Sequence, residues 1–161
     1  MNKRPIKRNE NILMLSKEHH FSLLFCWKIR QGLKNESATN RIIQYVQYFS
    51  THFLMPHFKE EEDFLFVLLD DAKVEKATEH RKVINSLIAE LSNNNEINSR
   101  ELLQKIAGMV DDHIRYEERK LFPYLEKKLS DDQLEAVGKQ LMDENTLSVK
   151  EEYQDEFWIK K

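Results

Sequence analysis

One short pattern, a histidine followed four residues later by a glutamate, occurs twice in the chain. The two copies are His57 with Glu61 and His113 with Glu117. Because residues four apart lie on the same face of an α-helix, each pair would present an imidazole and a carboxylate side by side. These two groups together suit iron, manganese or zinc. The spacing therefore indicates a metal-binding site.

Both pairs lie within long apolar patterns that repeat every three or four residues, as on a helix face that is turned to a core. The first pattern comprises Ile42, Val46, Phe49, Phe53, His57, Glu61, Phe64 and Leu68, and the second comprises Leu102, Ile106, Val110, His113, Glu117, Leu121 and Tyr124. A buried carboxylate without a partner is costly. We therefore expect the two helices to share a bound metal ion.

Two further histidines fall on predicted apolar faces. His19 follows Leu15 by one turn in the first predicted helix, and His80 precedes Ile84 by one turn in the third. Four histidines in the middle of four separate helices are difficult to obtain by chance, which strengthens the metal hypothesis. His20, the neighbour of His19, remains the alternative for the first helix.

The chain predicts an all-α fold. Its 161 residues are 33% charged and 40% apolar with only 3 Gly and 3 Pro, which is typical of one amphipathic helical domain, residues 1–161. Five helices are predicted, at about 9–34, 38–69, 74–91, 99–129 and 130–142. Their short connections favour an antiparallel up-down four-helix bundle over residues 9–129, with a short fifth helix and a C-terminal tail over 130–161.

Three local signals refine this picture. Pro56 and Pro123 lie inside the second and fourth predicted helices, and each should kink its helix by removing a backbone hydrogen bond. Either the kinks are incidental or they open the bundle beside the histidine–glutamate pairs. Ser130 and Gln133 have the form of a capping box, which predicts the start of the fifth helix.

The composition limits the class of protein. A net charge of −3 gives no reason to expect nucleic acid. The basic residues among the first eight are expected to be solvated, with a weak anion-binding arm as the alternative. The single cysteine, Cys26, excludes an intramolecular disulfide and fits a reducing compartment. No membrane span or signal peptide is recognisable, so a cytoplasmic location is expected. The apolar end of the tail, at 157–159, is expected to dock on the body or on a partner.

Four segments resemble the hemerythrin family, in particular bacterial hemerythrin-like (HHE) domains. They are LSKEHH (15–20), PHFKEEEDFLF (56–66), TEHRKVI (78–84) and DDHIRYEERKLFPYL (111–125). The resemblance implies a four-helix bundle around a non-haem di-iron site, with bridging oxo or hydroxo groups and a position open to O₂. The ligands that it implies are His19 (or His20), His57, Glu61, His80, His113 and Glu117, with the two glutamates as bridges.

The third helix departs from the respiratory hemerythrins, which carry two histidines four residues apart there. This chain has Ile84 one turn after His80 and Lys76 one turn before it. One iron would therefore lack a protein ligand. The departure favours sensing, storage or redox chemistry over simple O₂ carriage. The candidates to replace the missing iron ligand are water, Glu60, Glu118 and His20.

The sequence predicts a di-iron protein that binds or senses O₂, NO or peroxide, or that holds iron. The alternatives are an iron-dependent enzyme (peroxide or NO turnover, or iron donation for iron–sulfur cluster repair) and a metal-free helical interaction module. The expected partner is a small diatomic molecule or peroxide, without nucleic acid or membrane, and a homodimer is left open. Ferritin-like di-iron bundles are excluded, because they need Glu-x-x-His pairs and no histidine here has a glutamate three residues before it.

The environment of the site can also be predicted. The apolar side chains expected to form a dry pocket around it are Leu23, Phe49, Phe53 and Phe64. Tyr116, which precedes Glu117, is expected either to pack in a helix interface or to line that pocket as a hydrogen-bond donor or radical partner.

Overall fold

The computed structural model describes residues 8–93, 96–144 and 152–160. Within these ranges the chain forms five helices and no strand. They are α1 (Leu13–Lys34), α2 (39–68), α3 (Ala72–Ser92), α4 (96–128) and α5 (Asp131–Glu144). The all-α prediction is confirmed. No helix in the described part of the chain combines the length and the apolar character that crossing a membrane requires.

Among the described residues, the core consists of two groups of buried apolar side chains. The Phe122 cluster contains Ile12, Leu15, Leu65, Phe66, Val74, Ala77, Leu121, Phe122, Leu125, Leu129, Leu134, Val137 and Leu141. The Phe49 cluster contains Phe25, Cys26, Ile29, Ile42, Tyr45, Val46, Phe49, Leu54, Phe58, Ile84, Leu91, Leu102, Leu103, Ile106, Ala107, Val110, Ile114 and Phe157.

The order of the two clusters along the chain gives the topology. Helix α1 begins in the Phe122 cluster and ends in the Phe49 cluster, and α2 runs in the opposite direction. Helices α3 and α4 repeat this alternation, and α4 packs against both α1 and α3. The four long helices therefore run up, down, up and down, as their short connections predict.

Helices α2 and α4 contain wide, π-helical turns. These turns cover Ser50–Leu54 and Glu61–Leu65 in α2, and Glu117–Leu121 in α4. Pro56 follows the first turn and Pro123 follows the third. Because proline cannot donate a hydrogen bond to the preceding turn, an extra residue in that turn lets the helix continue. The prolines are thus accommodated without ending either helix.

Side chains define the starts of two helices. The backbone N–H of Gln133 donates to Ser130 Oγ at 3.1 Å, and the N–H of Ser130 donates to Gln133 Oε1 at 2.9 Å. The predicted capping box is therefore confirmed. Asp71 caps the start of helix α3, and its carboxylate accepts a hydrogen bond from the N–H of Lys73 at 2.8 Å. Such contacts satisfy backbone donors that have no partner within the helix.

The C-terminal segment packs on the Phe49 cluster. Phe157 is buried beside Gly32, where a Cβ atom would lie only 2.7 Å from the phenylalanine ring. The ammonium group of Lys28 lies 4.1 Å from the centre of a Trp158 ring, a cation–π contact. Of the two possibilities that the sequence left open, these residues dock on the body of the same chain.

Candidate metal centre

A layer of buried polar side chains separates the two hydrophobic clusters. It contains His19 from α1, His57 and Glu61 from α2, and His113 and Glu117 from α4, and each is at most 2% exposed. On each helix these residues follow one cluster and precede the other. The bundle therefore brings together five of the six residues that the resemblance implies as ligands.

Four of these side chains converge most closely. One ligand atom each from His19, His57, Glu61 and Glu117 lies within 4.8 Å of the other three, and we call these residues the inner group. His19 Nε2 lies 3.1 Å from Glu117 Oε1 and 3.6 Å from Glu61 Oε2. His57 Nε2 lies 3.3 Å from the same Glu61 oxygen. The imidazoles and carboxylates thus face a common centre.

Several polar atoms of the layer are buried without a hydrogen-bond partner among the described residues. They include both ring nitrogens of His57, both carboxylate oxygens of Glu61, Glu117 Oε2 and His113 Nε2. Buried polar atoms in proteins are normally hydrogen-bonded, so a concentration of unsatisfied ones needs an explanation. A bound cation would satisfy these nitrogen and oxygen atoms together. The residues present therefore fit a metal ion.

His113 joins the centre from α4, with His80 behind it. His113 Nε2 lies 3.3 Å from Glu117 Oε1, whereas its Nδ1 lies 3.2 Å from the Nδ1 of His80. His80 is only partly buried. The structure therefore places His80 at the outer nitrogen of His113 rather than in the inner group. His20, the sequence alternative to His19, is exposed.

The histidines of the inner group have carboxylates at their outer nitrogens. His19 Nδ1 donates to Glu118 Oε1 at 2.6 Å, and His57 Nδ1 lies 3.6 Å from Glu18 Oε2. Metal-binding histidines commonly donate their second N–H in this way, which fixes the ring and raises its basicity. Glu118 is thus placed to orient His19, a role different from the additional ligand considered from sequence.

Arg8 completes this arrangement. Its guanidinium donates to Glu118 Oε2 at 3.0 Å and to Glu126 Oε1 at 2.5 Å, and its side chain is only 3% exposed. The expectation that the basic residues near the start are solvated is therefore wrong for Arg8. The other three lie outside the described residues. The sequence pattern did not reveal the burial of Arg8, because its partners are more than 100 positions away in the chain.

The family model of the hemerythrin HHE cation-binding domain matches residues 12–142. The chain belongs to this family. The matched range includes every residue of the inner group together with His80, His113 and Glu118. No curated protein and no solved structure matches the chain. Family membership and the buried histidine–glutamate group together identify a metal-binding domain.

The electrostatics of the HHE domain show how the layer holds its protons. Burial opposes the charge on His57, but Glu61 and Glu18 outweigh it and raise the pKa of His57 to about 10. The pKa of His19 is also well above its usual value, because hydrogen bonds to Glu117 and Glu118 outweigh its burial.

The pKa values of the two glutamates in the layer are shifted in opposite directions. The pKa of Glu61 lies well below its usual value despite burial, because His57 and His19 stabilise its charge. Burial, with the nearby charge of Glu61, raises the pKa of Glu117 to about 8. Burial also lowers the pKa of His113 to about 3 and so keeps that imidazole neutral. A cation that binds in this layer must therefore displace protons from several of these groups.

Aromatic rings cover two of the imidazoles in the HHE domain. Phe122 stacks on His19 with 5.1 Å between ring centres, and Phe58 meets His113 edge-on at 5.4 Å. These two rings were not among the predicted pocket residues. Of the predicted ones, Leu23, Phe49 and Phe53 belong to or pack on the Phe49 cluster, and Phe64 packs on the Phe122 cluster.

Tyr116 packs in a helix interface, which was one of its two predicted roles. Its ring lies edge-on to His80 with 5.2 Å between centres, and its hydroxyl donates to the carbonyl oxygen of Lys73 at 2.7 Å. The ring therefore supports His80 from the α4 side.

The inward face of α3 differs from the predicted one. Arg81 is 5% exposed, and its guanidinium donates to the carbonyl oxygen of Phe58 at 2.8 Å. The guanidinium also lies over the rings of Phe58 and Phe66. Ile84 is fully buried in the Phe49 cluster. Helix α3 thus turns Arg81 and Ile84 inward, which leaves His80 at the edge.

Proposed function

We propose that this HHE domain holds a non-haem di-iron centre that binds O₂, NO or peroxide. The observation that carries the proposal is the sharing of carboxylates between imidazoles. Glu117 Oε1 lies within 3.3 Å of the Nε2 atoms of both His19 and His113. Glu61 Oε2 lies within 3.6 Å of the Nε2 atoms of both His57 and His19. A carboxylate between two imidazoles is suitably placed to bridge two cations.

The residues in and around the layer would have different roles in such a centre. His19, His57 and His113 would bind through Nε2, because this is the nitrogen that each turns toward a glutamate. Glu61 and Glu117 would bridge and balance the positive charge. The rings of Phe58 and Phe122 would keep water away from the imidazoles. When bound, reduced iron supplies electrons to a diatomic ligand.

The alternatives have less support in the structure. Iron donation for cluster repair would benefit from a reactive thiol, but burial raises the pKa of Cys26 to about 12, so the thiolate is disfavoured. A metal-free interaction module would leave the buried polar atoms of His57, Glu61 and His113 without hydrogen-bond partners among the described residues, which is costly. Peroxide or NO turnover would use the same centre and differs only in what happens after binding.

Elemental analysis and ligand titration test the proposal together. We expect about two iron atoms per chain after purification from iron-replete cells, as in other di-iron bundles. Adding O₂, NO or peroxide to the reduced protein should change its visible spectrum. The Glu62→Gln variant should match the parent in both measurements, because Glu62 is exposed and belongs to the same acidic run as Glu61. One zinc ion or no metal would overturn the di-iron assignment, and iron without any optical response would overturn ligand binding. Steady-state consumption of peroxide or NO would instead support the enzyme.

A further inference from the structure

The outer nitrogens of the three buried histidines have unequal partners. The Nδ1 atoms of His19 and His57 face the carboxylates of Glu118 and Glu18. The Nδ1 atom of His113 instead faces another imidazole, that of His80, at 3.2 Å. His80 therefore occupies the place that a carboxylate occupies behind His19 and His57.

His80 cannot hold this place and bind a metal through the same nitrogen. If His113 binds a cation through Nε2, its remaining proton lies on Nδ1 and is donated to His80 Nδ1. That nitrogen of His80 is then an acceptor, and it lies on the side of the His113 ring away from Glu117. To become a ligand through Nδ1, His80 must give up this hydrogen bond and turn.

Nothing else on the inward face of α3 can replace His80. Ile84, one turn further along, is fully buried and apolar. Arg81 is buried but positively charged, and its guanidinium is bound to the carbonyl oxygen of Phe58. A cation on the His113 side therefore depends on His80 alone for a ligand from α3.

The opposite side is already arranged for a cation. The inner group brings two imidazoles and two carboxylates together without any rearrangement of α3. Glu118, which fixes the His19 ring, is itself fixed by the buried guanidinium of Arg8. Ligands that are held in place before binding lose less freedom when the ion arrives.

We infer that the centre fills in two unequal steps, a tight one in the inner group and a weaker one that requires His80 to leave His113. This inference rests on the proposed di-metal centre and adds an order of loading to it. The second ion is the exchangeable one, and His80, at the partly exposed edge of α3, controls its entry and release.

Titration of the metal-free protein with Co²⁺, followed by absorbance, tests the inference without iron or O₂. We expect two phases whose dissociation constants differ by at least about tenfold, the lower limit for the effect of an outer-nitrogen partner on metal affinity. Chelator should remove one ion quickly and the other slowly. Two ions with equal constants and equal release rates would overturn the inference and leave the di-metal centre intact.

Two pairs of variants assign the phases to residues. Glu118→Gln should weaken only the tight phase, by roughly 10–100-fold. Its matched control is Glu126→Gln, because Glu126 also pairs with Arg8 but is not among the partners found for any imidazole. His80→Ala should abolish only the weak phase, and His20→Ala, at an exposed histidine, should change neither.

Three results would count against these assignments. A Glu118→Gln protein that binds Co²⁺ as the Glu126→Gln control does would show that Glu118 does not contribute to the tight phase. Loss of the tight phase in a folded His80→Ala protein would place His80 in the first step. Uptake of a single ion by the parent would overturn the di-metal centre as well. Circular dichroism separates all of these from a failure to fold, and the two-phase titration of the parent stands even if a variant is unstable.

Discussion

Glu61 and Glu117 occupy equivalent places on their helices: each lies four residues after a buried histidine, and each is the first residue of a π-helical turn. Wide turns of this kind often lie at functional sites. In this domain, two of them begin at the glutamates that the proposed centre would use as bridges.

Glu117→Gln should separate metal binding from folding. Because the pKa of Glu117 is raised to about 8, this carboxyl group is largely protonated at neutral pH, and glutamine closely matches it in shape and charge. We expect a metal-free stability close to that of the parent, with metal affinity reduced by more than the roughly 10–100-fold typical of outer partners. Chemical denaturation with and without metal measures both. Parent-like metal content would show that Glu117 is not a ligand.

His19→Ala and His20→Ala form a matched pair at neighbouring positions. His19 is buried in the inner group, whereas His20 is exposed and packs beside the ring of Phe21. We expect His19→Ala to lose most of the bound metal and His20→Ala to retain it, as measured by elemental analysis after dialysis. The reverse order would mean that α1 is rotated when metal is bound.

Metal uptake should release protons. His57, whose pKa is about 10, and His19, whose pKa is also raised, are protonated at neutral pH, and both must become neutral to bind a cation. Affinity should therefore rise as the pH is raised from 6 to 9. Calorimetry in two buffers with different ionisation enthalpies measures the number of protons released. Equal heats in the two buffers would contradict the protonated state of the pair.

The stability of the metal-free protein should change with pH in the opposite direction. The folded pKa of His57 is about 10, above its usual 6.5, so its contribution to stability is complete below pH 6.5 and is lost as the pH rises through 10. The folded pKa of Glu117 is about 8, above its usual 4.5, which gives the same sign. We expect the metal-free protein to be less stable at pH 9 than at pH 7. Urea denaturation at the two pH values checks this, and a rise in stability would contradict it.

Ile84→His would place a second imidazole on α3, one turn beyond His80. Without metal the substitution should cost about 1–3 kcal/mol, because it leaves a polar group unsatisfied in the Phe49 cluster. With Co²⁺ the weak binding phase should tighten, since the new imidazole can serve the position for which His80 alone is available. Ile84→Leu controls for changes in packing. If the histidine variant binds less metal than the leucine variant, position 84 serves packing alone.

Helical periodicity was sufficient to place His19, His57, Glu61, His113 and Glu117 in the core, because on α1, α2 and α4 the buried face includes them. It was not sufficient on α3, where His80 and Arg81 are adjacent and the pattern favoured the histidine. Arg81 is buried because it meets the Phe58 carbonyl and two phenylalanine rings from α2. Those partners exist only in the folded chain.

Periodicity also could not predict the contacts at the outer nitrogen of His19 or the docking of the C-terminal segment, because both depend on residues far apart in the chain. The sequence offered Glu118 only as a candidate replacement ligand and Arg8 only as a solvated charge. The docking of the N-terminal segment on α4 brings the two together beside His19. Phe157 was clearly apolar, but its place depends on the gap at Gly32, 125 residues earlier by the numbering of the chain.

The polar layer interrupts the hydrophobic core between the Phe122 and Phe49 clusters. Apolar contact cannot transmit cooperativity across that layer as it does within each cluster. A cation bound there would link α1, α2 and α4 and make the two halves unfold as one unit. Without it, the halves should open with different free energies, which native-state hydrogen exchange can resolve. Metal binding would then be detectable far from the centre, as a change in the free energy of opening at the two ends of the bundle.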